Sequence, residues 1–118
     1  MARRPAQTCD LSELFRLLGA PHVLDVLHVT LIAKGPSRFK DLQTSLKISP
    51  NTLAVRLKEL VGAGLLLREA FSEIPPRVEY RPSEKARELW PVFEELDAWS
   101  KRNSLAPLLV VKGSSPVK

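Results

Sequence analysis

The sequence predicts a mainly α domain carrying one small β-hairpin. Three observations predict it. Up to Gly62 the apolar residues recur at helical spacing. Between Leu65 and Arg81 the pattern switches to alternation around a Pro75-Pro76 turn. After Ser83 the helical spacing returns. The chain has 118 residues, 44% of them apolar and 26% charged. Those proportions suit one globular domain of the usual ~100–150 residues. One cysteine cannot form an internal disulfide, so a reducing, cytoplasmic setting is expected. No membrane partner is expected either. The most apolar stretch, Val23 to Ala33, is interrupted by Asp25 and His28 and falls short of the ~20 residues a span needs. The basic start Met1-Ala2-Arg3-Arg4-Pro5 lacks the apolar segment of a secretory signal.

Residues 1–8 read as a flexible basic arm. Leu11, Leu14, Phe15 and Leu18 form the stripe of a first helix, which Gly19-Ala20-Pro21 ends. Pro21 suits the opening of a second helix. Val23, Leu24, Val26, Leu27, Val29, Leu31 and Ile32 surround that helix almost completely, which predicts a central position. After the Gly35-Pro36 break, Ser37 is the expected cap of a short helix carrying Phe39, Leu42 and Leu46. The strongest start signal follows. Ser49 fits an N-cap, Pro50 fits the first helical position, and Ile48 with Leu53 fits a hydrophobic staple. Leu53, Leu57, Leu60 and Val61 are its expected buried stripe, and Gly64 its left-handed terminator.

Leu65–Phe71 and Arg77–Arg81 are the expected hairpin strands. On the second, Val78 and Tyr80 share one face, while Arg77, Glu79 and Arg81 share the other. Ser83 then caps one long helix to about Trp99, bent at Pro91. The structured domain is thus expected over residues 9–102, with a flexible tail over 103–118.

Three helices, a well-marked fourth and a hairpin, in that order, describe a winged helix-turn-helix. The third and fourth helices would be the DNA-binding pair, joined at Lys47-Ile48. The fourth would lie in the major groove, and the hairpin would be the wing, with its 72–77 tip on adjacent backbone. With the leucines inward, Asn51, Thr52, Val55, Lys58 and Glu59 face out and Arg56 lies on the flank. Asn pairs bidentately with adenine, and a Thr methyl can touch a thymine methyl. Arg38, Lys40, Arg56 and Lys58 suit phosphate contacts, and Ser49 sits at the helix start beside them.

Charge agrees with that placement. Lys34 to Lys58 holds six basic residues and one acid, a net +5 equal to that of the whole chain. Ser83 to Trp99 carries a net −3. At the wing, Arg77 has two readings. It is either a minor-groove or phosphate contact, or an ordinary strand residue paired with Glu79 or Glu73.

The helix after Ser83 is apolar over about half its circumference, more than packing on one small domain requires. Leu89, Trp90, Phe93, Leu96 and Trp99, with Leu14, Phe15 and Leu18 of the first helix, are therefore the expected homodimer interface. The alternative is a wide face covering the chain's own core.

Catalytic chemistry is not expected. There is no phosphate-binding glycine loop, no CxxC and no nucleophile motif. His22 and His28 are six apart and do not share a helix face, so no metal ligand set and no cofactor are predicted.

These segments resemble a known family. Gly35-Pro36-Ser37-Arg38-Phe39-Lys40-Asp41-Leu42 is similar to its GP-x-RF-x-x-L segment. Ile48 to Leu53, Arg56 to Leu60 and Gly64-Leu65 resemble its recognition helix. Pro75 to Tyr80 resembles its wing, and Pro91-Val92 with Trp99 its final helix. The family is the HxlR-type winged-helix transcriptional regulators of bacteria and archaea. The resemblance implies a dimeric DNA-binding regulator. The chain departs from the family at Gly19-Ala20-Pro21-His22, where a Gly-Lys-Trp-like segment is usual, and at Ala86, where a glycine is usual.

Cys9 falls where many relatives carry an N-terminal cysteine, which in some senses oxidants or electrophiles. Sensing needs a thiolate, favoured here by a helix start and by Arg3 and Arg4 and opposed by Asp10. The other reading is a plain, partly buried cysteine. The function expected overall is a DNA-binding regulator that represses by occluding its operator, open to a redox or small-molecule effector. A non-specific DNA-coating protein and a winged-helix protein-interaction module are the alternatives.

Overall fold

A computed structural model describes residues 5–103 of the chain, with side chains from Leu11 onward. The elements run α1 (Pro5–Leu18), α2 (Val23–Ile32), β1 (Ser37–Arg38), α3 (Phe39–Leu46), α4 (Pro50–Gly62), β2 (Leu66–Phe71), β3 (Arg77–Pro82), α5 (Glu84–Arg87) and α6 (Trp90–Arg102). This is the winged helix-turn-helix order. The chain packs as two units that divide between Arg87 and Glu88, inside the single 9–102 domain expected.

In the first unit, α2 packs against α1, α3, α4, α5 and β3. Val23, Val26 and Leu27 of α2 are buried, as are Leu42 of α3, Leu53, Leu57 and Leu60 of α4, and Leu65 and Leu66 at the start of the hairpin. Thr30 is buried with them, and its hydroxyl donates to the Leu27 carbonyl at 2.9 Å, so no polar group is left unsatisfied there. Leu24 and Ile32 are exposed, which corrects the expectation that α2 is covered on almost every side.

Further differences concern element ends. Helix α1 begins at Pro5, so residues 5–8, assigned to the arm, are helical. Met1–Arg4 and residues 104–118 lie outside the described residues. Pro21 does not open α2. The Val23 N–H donates to the Ala20 carbonyl at 3.2 Å, forming a turn that places His22 at φ 71, and α2 starts after it. Ser37 is not the cap of α3. Ser37 and Arg38 form β1, pairing with Tyr80 and Glu79, so the sheet has three strands in the order β1-β3-β2. The cap position falls on Arg38, whose side chain makes no capping bond.

The hairpin register pairs Leu66 with Pro82, Arg68 with Tyr80, Ala70 with Val78 and Phe71 with Arg77. Directly opposed residues share a face, so Val78 and Tyr80 lie on one side and Arg77, Glu79 and Arg81 on the other, as expected. Ser83 Oγ accepts the Ala86 N–H at 3.1 Å, capping α5, and donates to the Gly64 carbonyl at 2.6 Å. The long bent helix expected after Ser83 is instead two helices. A proline at 91 would clash with the carbonyl four residues back, at Arg87, where α5 stops. Pro91 then occupies the first turn of α6, where its missing N–H costs nothing. No single described helix is long and apolar enough to cross a membrane.

Candidate nucleic-acid interface

Helix α4 is set by its ends. Ser49 Oγ accepts the Thr52 N–H at 3.2 Å and donates to Thr52 Oγ1 at 3.0 Å, with Pro50 in the first turn. At the other end the Leu65 N–H reaches the Leu60 carbonyl and the Gly64 N–H the Val61 carbonyl, the paired bonds of a Schellman terminator, with Gly64 at φ 78. Between α3 and α4, Lys47 takes the left-handed conformation at φ 56 and Ile48 is buried beneath the turn.

With Leu53, Leu57 and Leu60 buried, α4 turns Asn51, Val55, Lys58 and Glu59 to solvent, and Thr52 is half-buried at the capped end. Arg38 and Lys40 are exposed at the start of α3. Among the described residues Arg38, Lys40 and Lys58 have no ion-pair partner.

Two arginines are placed differently. The Arg56 side chain is only 18% exposed and pairs with Glu59, one turn further along α4. Its Nε is buried without a hydrogen-bond partner. Arg77 pairs with Glu73 at 2.8 Å and Glu79 at 3.0 Å, and its guanidinium lies over the Phe71 ring. Those are the ion pairs that one of its two sequence readings expects. Arg81 likewise pairs with Glu69 at 3.0 Å. These bonds relieve the direct opposition of Glu69 and Glu79 across the hairpin.

Arg68 is a cation the sequence reading did not single out. It lies on the same sheet face as buried Leu66, where alternation would call for another apolar residue. That mismatch was the available signal.

The residues expected at a dimer interface divide by unit. In α1, Phe15 is 64% exposed, while Leu14 and Leu18 are half-buried. In the second unit Leu96 is 52% and Trp99 47% exposed, while Leu89, Trp90 and Phe93 are half-buried. Trp90 and Phe93 meet edge to face at 6.3 Å. The backbone of Cys9 lies inside α1 rather than ahead of it. Among the described residues no three His, Cys, Asp or Glu side chains come together.

A family model described as HxlR-like helix-turn-helix matches residues 23–106. An uncharacterized HTH-type transcriptional regulator of Halalkalibacterium halodurans is 36% identical over 88 residues, 74% of this chain and 77% of that protein. The HTH-type transcriptional regulator YodB of Bacillus subtilis is 39% identical over 87 residues, 73% of this chain and 76% of its own. The solved reduced form of YodB superimposes with a TM-score of 0.73 at 34% identity, over 82% of this chain and 94% of that one. Its quinone-bound form gives 0.69 at 33% identity, over 79% and 96%. The relatives are transcriptional regulators and not enzymes. A helix-turn-helix with its wing, an outward basic face and these matches lead to one conclusion: the chain belongs to the HxlR-like helix-turn-helix family.

Proposed function

We propose that the chain is a sequence-specific, homodimeric repressor that acts by occluding its operator. Helix α4 lies in the major groove, where Asn51, Thr52 and Val55 meet base edges. Arg38, Lys40 and Lys58 contact phosphates and set the register. The exposed face of α4, flanked by these three unpaired cations, is the observation that carries the reading. Arg56 and Arg77 act as braces, held by their own carboxylates. The exposed Phe15 of α1 and the exposed Leu96 and Trp99 of α6 each serve dimerisation. Occlusion is the simplest mode because the reading needs no further element than a bound dimer. An electrophile or oxidant effector is supported by the quinone-bound form of YodB, and Cys9 is the sole thiol of this chain that could receive one.

Selection of bound duplexes from a random pool, with and without reductant, tests this. A single enriched palindromic sequence is expected. Enrichment of no sequence, with binding that depends only on salt, would make the protein a non-specific DNA coat. Absence of binding to any duplex at low salt would leave a protein-interaction module.

A further inference from the structure

A cleft of about 270 Å3 opens between α4 and the sheet. Its apolar walls are Phe39, Leu57, Val61 and the ring of Tyr80, and its two charged residues are Lys58 and Arg68. Ala54, Lys58 and Val61 follow one another at three- and four-residue steps, so they form one flank of α4 beside the buried leucines. Arg68 and Tyr80 are direct partners across the hairpin and share the face that continues from Leu66 and Pro82.

The charge arrangement is unusual for this sheet. Arg77 and Arg81 of β3 are both matched by glutamates. Among the described residues Lys58 and Arg68 have no ion-pair or hydrogen-bond partner, and both adjoin an apolar hollow. Sites for small molecules combine mostly apolar walls with a few polar groups that fix orientation. The volume lies just under the ~300–1,000 Å3 of sites for drug-sized ligands, which suits one ring or a short chain.

We propose that this cleft binds a small organic anion, a carboxylate on a single ring or short aliphatic chain, and that occupancy competes with DNA for Lys58. The apolar body packs between Phe39, Leu57 and Val61, and the carboxylate meets Lys58 and Arg68. Lys58 belongs at once to the cleft and to the outward face of α4, so neutralising it there removes a phosphate contact. The binding claim stands on the cleft alone; the competition claim rests on the DNA-binding reading above.

The test titrates the full chain with benzoate, phenylacetate and hexanoate, and with uncharged benzamide as control, by calorimetry. At least one carboxylate is expected to bind, with benzamide about tenfold weaker. Arg68→Gln is expected to weaken it about tenfold, and Ala54→Leu, which fills the hollow from the helix side, to abolish it. A second arm follows a fluorescent duplex by anisotropy, each variant referenced to its own ligand-free affinity. The carboxylate releases DNA from the wild type but not from Ala54→Leu. No binding by any of the three, or equal binding by Ala54→Leu and wild type, overturns the site. Binding without DNA release overturns the competition. A wild type that binds the carboxylate and no DNA refutes the DNA reading while leaving the site intact.

Discussion

The Arg77 guanidinium lies 4.0 Å from the centroid of the Phe71 ring, its direct partner across the hairpin. A cation over a ring at a partly exposed site contributes about 0.5–1 kcal/mol, and surface ion pairs add about 0–1 kcal/mol. Arg77→Ala is therefore expected to lower stability by about 1 kcal/mol in urea unfolding. The salt dependence of DNA binding should stay that of the wild type. A slope shallower by about 0.9 would instead place Arg77 on a phosphate. Lys40→Ala is expected to show that reduced slope with unchanged stability.

The start of α4 separates stability from recognition. Ser49→Ala removes the acceptor of the Thr52 N–H and should cost about 1 kcal/mol. Ser49→Asp keeps an acceptor there and should fold as stably as the wild type. Its negative charge would face phosphate, so DNA binding should weaken nonetheless. Urea unfolding and a duplex titration on both variants distinguish the two effects.

Gly64 and Gly35 should respond differently to a methyl group. Gly64 sits at φ 78, where an L-residue costs roughly 1–2 kcal/mol. A Cβ there meets only the Lys85 side-chain end, at 3.1 Å, which can move away. The backbone conformation therefore sets the loss expected for Gly64→Ala. A Cβ at Gly35 meets nothing within 4 Å, and Gly35→Ala should fall within about 0.5 kcal/mol of wild type. Thermal unfolding of the two variants side by side checks the contrast.

Dimerisation is checked by placing charge on exposed apolar positions. Phe15→Glu and Trp99→Glu should each sediment as monomers at micromolar concentration where the wild type is a dimer. A wild type that is monomeric there refutes the homodimer.

Much of α4 was legible because its signals are local. Cap, proline, staple and terminal glycine all lie within seventeen consecutive residues, Ile48 to Gly64, and none needs a distant partner. Strand β1 was not legible for the opposite reason. Two residues make no periodic pattern, and Ser37 reads as a cap until Tyr80 is seen opposite it. The break before α6 had its signal in Pro91, whose effect falls four residues upstream rather than at the proline itself. Within the candidate interface, outward placement of Asn51, Val55 and Lys58 followed from helical geometry alone. The engagement of Arg56 and Arg77 depended on which neighbouring carboxylates come within reach, and Glu59, Glu73 and Glu79 all do.

The two rungs of β1 have a mechanical consequence. They stitch the start of α3 to β3, the inner strand of the wing. Helix-turn-helix and wing are thereby joined through paired backbone as well as through the chain itself, and they are expected to move together. A ligand surface that arrives already aligned loses less orientational freedom on docking than two parts hinged on a loop. Cutting those rungs, for instance with Ser37→Pro, should slow productive docking even though every DNA-facing side chain is kept.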